Sequence, residues 1–264
     1  MKKGVQKETK KDNTVYYRSG ITYKNKHISL GSFDTEEEAY EAYLFAKNVL
    51  YSHDYTIEKC IFHTADKELT FEKEISLINF RDNGIYFSTP IYLRKNYFEY
   101  HLSKEICLKF DIDDLFYYSS HKIMRRQGHL FVADFGSQVS IITRYGLKPY
   151  SVLERDYRFI NGDIYDFRRS NIDIINRYNG VLRVVKKSGT FYKAVIHIKN
   201  NFVIGQYATE DEAAIAYNKA IDILQKKGVK KNFTPNYLEG LSPKIYAKIY
   251  TAVKISPKIV NYTI

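Results

Sequence analysis

"GSFDTEEEAYEAYLFAKNVL" (residues 31–50) returns late in the chain as "GQYATEDEAAIAYNKAIDIL" (205–224), with nine identities. Gly31, Thr35, Glu36, Glu38, Ala39, Ala42, Tyr43, Ala46 and Leu50 meet Gly205, Thr209, Glu210, Glu212, Ala213, Ala216, Tyr217, Ala220 and Leu224. Self-similarity of this density implies that both segments share one fold. Thr35 with Glu38, and Thr209 with Glu212, have the spacing of a capping box, so a helix starts after each threonine. Beyond it, Ala39, Ala42, Tyr43, Ala46 and Leu50 form one apolar stripe at helical spacing, and its alanines let the helix lie close against a sheet. Upstream, "TVYYRSGITYKNKHISLGSF" and "TFYKAVIHIKNNFVIGQY" each give two β-rich runs, around turns at Lys24–Lys26 and Lys199–Asn201. The expected unit is three strands backed by one helix.

The alanines and tyrosines of the stripe are core, so function is expected on the opposite, outward face of each sheet. In the second copy the two-residue strand period turns Ala194, Ile196 and Ile198 toward the helix and Lys193, Val195 and His197 away from it. Arg183, Lys186 and Lys187 lie on or beside the preceding strand, and Asn201 at the turn. In the first copy Arg18, Gly20 and Thr22 point outward, with Lys3, Lys7, Lys10, Lys11, Lys24 and Lys26 nearby. Tyr178, Gly180, Val181, Ala194, Ile196, Gly205, Tyr207, Thr209, Glu212, Ala213, Ala214, Ala216 and Tyr217 carry a resemblance to the APETALA-type (ethylene-response-factor) DNA-binding domain. It covers roughly 178–226 well and 1–52 more loosely. The resemblance implies a sheet lying in the major groove of duplex DNA, read by Arg and Lys on its outer face. Lys3, Arg18 and His27 fall near contact positions of that family. Asn179, Leu182, Val184 and Val203 stand where it carries arginine or tryptophan, so fold is implied more firmly than the bases read.

Just before the second copy runs "RDYRFINGDIYDFRRSNI" (155–172). Ile160-Asn161-Gly162, Asp166, Arg168 and Asn171 resemble the HNH endonucleases of mobile elements and phages, which are often fused to an APETALA-type domain. The resemblance implies a ββα module whose loop enters a helix. The pair expected to supply a metal ligand and a general base is Arg158-Phe159, and Phe167 replaces an asparagine. Phenylalanine has no lone pair to deprotonate water, and a fixed guanidinium repels a divalent ion. The expectation is therefore a non-enzyme: a relic in which Arg158, Arg168 and Arg169 either lie against phosphates or brace the fold. The alternative is an active nuclease with an atypical magnesium site on Asp156, Asp163 and Asp166.

The 264 residues carry a formal net charge of +11, which favours an anionic partner. With 25 Tyr and 16 Phe the chain has ample material for cores. Cys60 and Cys107 form no CxxC pair and exclude a disulfide framework or a four-thiolate zinc site; both are expected to be buried and inert. His121 and His129, near Arg125-Arg126, are too few to imply a metal. No Walker loop, dinucleotide fingerprint or nucleophile elbow occurs, so neither a cofactor nor a small-molecule substrate is expected. A charged N-terminus and the lack of a long apolar run predict a cytoplasmic, nucleoid-associated protein with no membrane partner. The Lys-, Asn-, Ile- and Tyr-heavy wording fits an AT-rich bacterial or phage genome.

The expected fold class is α+β: two small three-stranded-sheet-plus-helix DNA-binding domains (1–53 and 178–230) flank a central α/β region. That region comprises a link (54–120) and a degenerate ββα HNH-like module (121–177). Within the segment 53–150, "ISLINFRDNGIYFSTPIYLRKNYFEYHL" reads as two or three strands turning at Asp82-Asn83-Gly84, and "MRRQGHLFVADFGSQVSIITRYGLKPY" as strands turning at Gly136. A tail (231–264) has a helix after Ser242-Pro243 that closes the last domain or contacts a second subunit in a homodimer. The expected function is sequence-specific binding of double-stranded DNA, most simply as a transcriptional regulator, with an architectural DNA-binding protein as a further alternative.

Overall fold

The structure, a computed structural model, describes residues 2–62 and 68–263. It is mixed α+β and divides into two units, Met1–Ile141 with Phe159–Ile172 and Ile142–Arg158 with Asp173–Ile264. The segment expected as one module at 121–177 is thus shared between them.

The first unit opens with β1 (Val5–Thr9), β2 (Val15–Tyr23) and β3 (Lys26–Phe33), an antiparallel sheet in that order, backed by α1 (Glu36–Tyr51). Thr35 caps α1 through a complete capping box with Glu38, and Ala39, Ala42, Tyr43, Ala46 and Leu50 are buried with Val49. Next come α2 (Ile57–Phe62) and α3 (Phe71–Asn83), then β4 (Ile91–Leu93), β5 (Tyr97–His101) and β6 (Cys107–Asp111) in a second antiparallel sheet. After α4 (Leu115–Ser120), β7 (Ile123–Arg126), β8 (His129–Asp134) and β9 (Ser137–Ser140) form a third, with its second turn at Phe135–Gly136.

Residues 75–81, expected as a strand, belong to α3, and so do Asp82 and Asn83 of the expected turn. The helix is buried on all sides, so its amphipathic period is erased and "ISLINF" reads as a strand. Ile75, Leu77, Ile78 and Phe80 fill the core, while its polar residues are each satisfied. Glu74 accepts from Tyr55 Oη at 2.6 Å, and Asn79 bonds the Ile85 carbonyl and the Leu93 N–H. Arg81 Nη1 bonds the carbonyls of Val49 and Ser52 at the end of α1 and of Tyr55 in the segment that follows.

β10 (Tyr157–Phe159) and β11 (Ile172–Ile174) pair as a two-stranded sheet. The helix expected after the loop is a single 3-10 turn, Arg169–Asn171, running straight into β11. The loop closes on itself instead: the Asn171 side chain accepts from Asn161 N–H at 2.8 Å and donates to the Asp166 carbonyl at 2.9 Å.

The second unit carries β12 (Val181–Lys186), β13 (Gly189–His197) and β14 (Asn201–Tyr207), again antiparallel and in order, backed by α5 (Glu210–Lys226). Thr209 and Glu212 complete its capping box. Then follow α6 (Pro243–Ala252), capped by Ser242, and α7 (Pro257–Val260). Val253 and Ile259 join the α5 core, and Lys219 of α5 donates to the Tyr250 and Val253 carbonyls. The tail therefore closes this unit.

One repeated detail joins helix to sheet. Gly4 and Gly180 have φ of +79° and +67°, and a Cβ at either would lie 2.2 Å from Tyr43 or 2.3 Å from Tyr217. Their carbonyls accept from Gly20 and Val195 N–H respectively. Only glycine takes that backbone and lets the tyrosine ring lie on it.

Candidate nucleic-acid interface

Residues directly opposite in antiparallel strands share a face, so the registers define the outward surface of each sheet. In the second unit Lys193 pairs with Leu182 and Gln206, Val195 with Val203, His197 with Asn201, and Val184 with Phe191. The register shifts by one at Ala194/Val195, leaving Ile204 as the extra, fully buried residue. This bulge turns Gln206 outward and Tyr207 inward. The first unit repeats the device: the shift at Ser19/Gly20 leaves Leu30 buried, and Arg18 pairs with Gln6 and Ser32, Thr22 with His27. Arg18 and Lys193 are therefore equivalent positions.

The fold brings Lys3, Arg18, Thr22 and His27 together. Lys3, Thr22 and His27 line a hollow of about 450 Å³ with Gly20, Tyr43 and Lys47. Arg18 and His27 line a neighbouring one of about 270 Å³ with Gln6 and Ser29. His27 Nδ1 lies 3.4 Å from Thr22 Oγ1, and in the other sheet His197 Nδ1 lies 2.9 Å from Asn201 Oδ1. Each sheet thus sets a histidine against a polar partner in the outward pair beside its β-turn. Lys186 also faces outward, 3.2 Å from Gln206 Oε1, and Lys187 sits exposed in the β12–β13 turn.

Four of the expected residues lie off these outward faces. Lys7 pairs with Tyr17 and Arg183 with Tyr192, which puts both on the helix-facing parity of their sheets. Lys26 pairs with Tyr23 on the same inner side and lies over the Tyr86 ring. Lys24 bonds the Arg81 carbonyl at 3.3 Å. Sequence reasoning missed Gln6, Ser29, Ser32 and Gln206 on the outward faces, since a bulge leaves no mark in the sequence and strict alternation from Val203 would turn Gln206 inward.

The motif loop is built onto β6, with Lys109 N–H donating to the Tyr165 carbonyl and Phe167 N–H to the Lys109 carbonyl. Phe159, 8% exposed, meets Phe167 edge-on at 5.4 Å, and Phe167 stacks on Phe110 at 5.6 Å. The position at which a nuclease keeps imidazole is thus part of an aromatic core. Asp166 is fully buried and accepts a two-toothed fork from Arg168, at 2.8 Å and 2.6 Å, and a bond from Asn161. Burial alone would push this carboxyl up, but Arg168 holds it below its ordinary value. Asp163 pairs with Lys109 at 2.9 Å. Asp156 is fully buried and accepts from Arg155 and the Val152 N–H.

Each acid of the alternative magnesium site therefore already has a cationic partner. Arg168, expected among the phosphate contacts, braces the loop; its guanidinium also lies over the Tyr97 ring. Arg158 pairs with Asp173 at 2.9 Å with its side chain half exposed, and the Arg169 N–H is held by Asp111.

Comparison of the chain with family models, with curated proteins and with solved structures gives no match. Among the described residues no helix is long and apolar enough to cross a membrane.

Proposed function

We propose that the chain is a non-catalytic protein that binds double-stranded DNA through the outward faces of its two repeated sheets, most simply as a transcriptional regulator. The observation that carries this reading is the equivalence of Arg18 and Lys193, one cation at the same outward position of each sheet, in a chain of net charge +11. Around Lys193 the face is largely apolar, with Leu182, Val184, Val195 and Val203 between Lys186 and His197. Such a surface suits thymine methyl groups flanked by phosphates, so the preferred site is rich in A·T pairs. Two tethered readers raise each other's effective concentration on one duplex.

The relic motif supports grip without scission: Phe159 offers no base, and Asp156, Asp163 and Asp166 are committed to cations. The test is a mobility-shift titration of labelled duplexes at two salt concentrations. Binding that prefers one duplex and weakens steeply with salt supports the proposal. Equal affinity for all duplexes would favour an architectural role, and magnesium-dependent nicking lost in Asp166→Ala would establish a nuclease.

A further inference from the structure

The β5–β6 hairpin gathers three metal-binding atoms. Glu99 and His101 stand two residues apart on β5 and share a side, and Cys107 opens β6 directly opposite His101. His101 Nε2 lies 3.4 Å from Glu99 Oε2 and 3.9 Å from Cys107 Sγ, and all three donor atoms fall within 4.8 Å of one another. Glu99 and His101 are buried, at 8% and 3% exposure. A tetrahedral zinc ion with N and O ligands at about 2.0–2.1 Å and S at about 2.3 Å separates neighbouring ligand atoms by about 3.3–3.6 Å. The His101–Glu99 and His101–Cys107 separations are close to that spacing, and the paired strands bring Glu99 and Cys107 within 4.8 Å of each other.

We propose that Glu99, His101 and Cys107 form a zinc site. One imidazole, one thiolate and one carboxylate are a donor set suited to this borderline ion, and three protein ligands leave a fourth position for water or an exchangeable ligand. Arg94 Nη2 ion-pairs with the same Glu99 Oε2 at 2.9 Å, so zinc would displace this partner. The Arg94 side chain is 37% exposed and can turn to solvent, unlike the two-toothed Arg168 fork on buried Asp166. Phe71 meets the His101 ring edge-on at 6.3 Å. Cys107, which from its isolation in the sequence promised only an inert thiol, becomes a ligand because pairing sets it across from His101. The site is independent of the DNA-binding reading, since none of its residues belongs to the two outward faces.

Cobalt(II) titration of the metal-stripped full-length protein tests it. The expected result is one equivalent bound, with a near-ultraviolet thiolate-to-cobalt charge-transfer band and the visible bands of a four-coordinate ion, both abolished by added zinc. Cys107→Ser should remove the charge-transfer band and Cys60→Ala should keep it. Glu99→Gln should weaken cobalt binding by about tenfold or more. No saturable band in the wild-type protein, or a band that survives Cys107→Ser, would overturn the assignment.

Discussion

Arg18 and Lys193 occupy one register position in two sheets of the same design, each flanked across its strands by uncharged side chains, Gln6 and Ser32 in one case and Leu182 and Gln206 in the other. Arg18→Ala and Lys193→Ala should each weaken duplex binding and reduce the salt slope by about 1. Lys7→Ala and Arg183→Ala, on the opposite parity, should leave affinity within about twofold, because an exposed cation off the interface adds only screened attraction. Titration of all four variants at several salt concentrations checks the face; a larger loss in the second pair would mean that the helix side meets DNA.

The apolar outward residues around Lys193 predict sensitivity to the thymine methyl group. Replacing thymine by uracil in a bound duplex removes one methyl per base and keeps every hydrogen-bonding edge. At about 0.8 kcal/mol per buried methyl, affinity should fall about fourfold for each contacted base. Competition between the two duplexes measures this, and equal affinities would show that Leu182, Val184, Val195 and Val203 do not meet the groove.

Restoring the missing imidazole should not restore a nuclease. Phe159→His puts a polar ring into the Phe167–Phe110 stack, where an unmet ring nitrogen costs about 1–3 kcal/mol beyond the lost packing. Asp166 remains forked by Arg168 and has little left to offer a metal ion. The variant should melt earlier and leave supercoiled plasmid intact with magnesium or manganese; cleavage by this variant would show that only the histidine was wanting.

Gly4→Ala and Gly180→Ala should each destabilise their unit by about 2–4 kcal/mol, the sum of a left-handed backbone and a methyl driven into a tyrosine ring. Tyr43→Ala beside Gly4→Ala should recover part of that loss relative to the sum of the single changes, since the collision is gone. Denaturant midpoints of the four chains give the coupling, and strict additivity would refute the contact.

Acid should loosen the motif loop. Asp156 and Asp166 are both held below the ordinary value of 3.8: burial would raise them, but Arg155 for the first and Arg168 for the second outweigh it. A depressed folded value means that their stabilisation is complete above 3.8 and is lost as pH falls through the folded value. Asp166→Asn should lower stability at neutral pH and flatten this acid limb. Unfolding curves from neutral pH to about pH 2 test the sign, and an unchanged limb would remove the carboxylate from the account.

Much of the fold was legible because it is local. The capping boxes at Thr35 and Thr209 and the alanine stripe are short-range patterns, and α1 and α5 lie where those patterns place them. The bulges at Leu30 and Ile204 left no such mark, since an extra residue appears only when two strands are aligned, and Gln206 was therefore not found among the outward residues. Lys7 and Arg183 fall on the helix-facing parity for a related reason: their face depends on pairing with Tyr17 and Tyr192. In α3 burial on every side removed the period that distinguishes helix from strand. His101 and Cys107 are unremarkable in sequence and become neighbours only through the β5–β6 register. Phe159 could be read as unfit for catalysis from its chemistry alone, whereas its place in an aromatic core required the fold.

The most direct measurement is selection from a randomised duplex pool by the full-length protein, followed by sequencing, for the wild type and for the Arg18→Ala/Lys193→Ala double variant. The account predicts an A·T-rich motif enriched by the wild type and lost in the double variant. A pool left unenriched by the wild type, or the same motif recovered by both proteins, would contradict it.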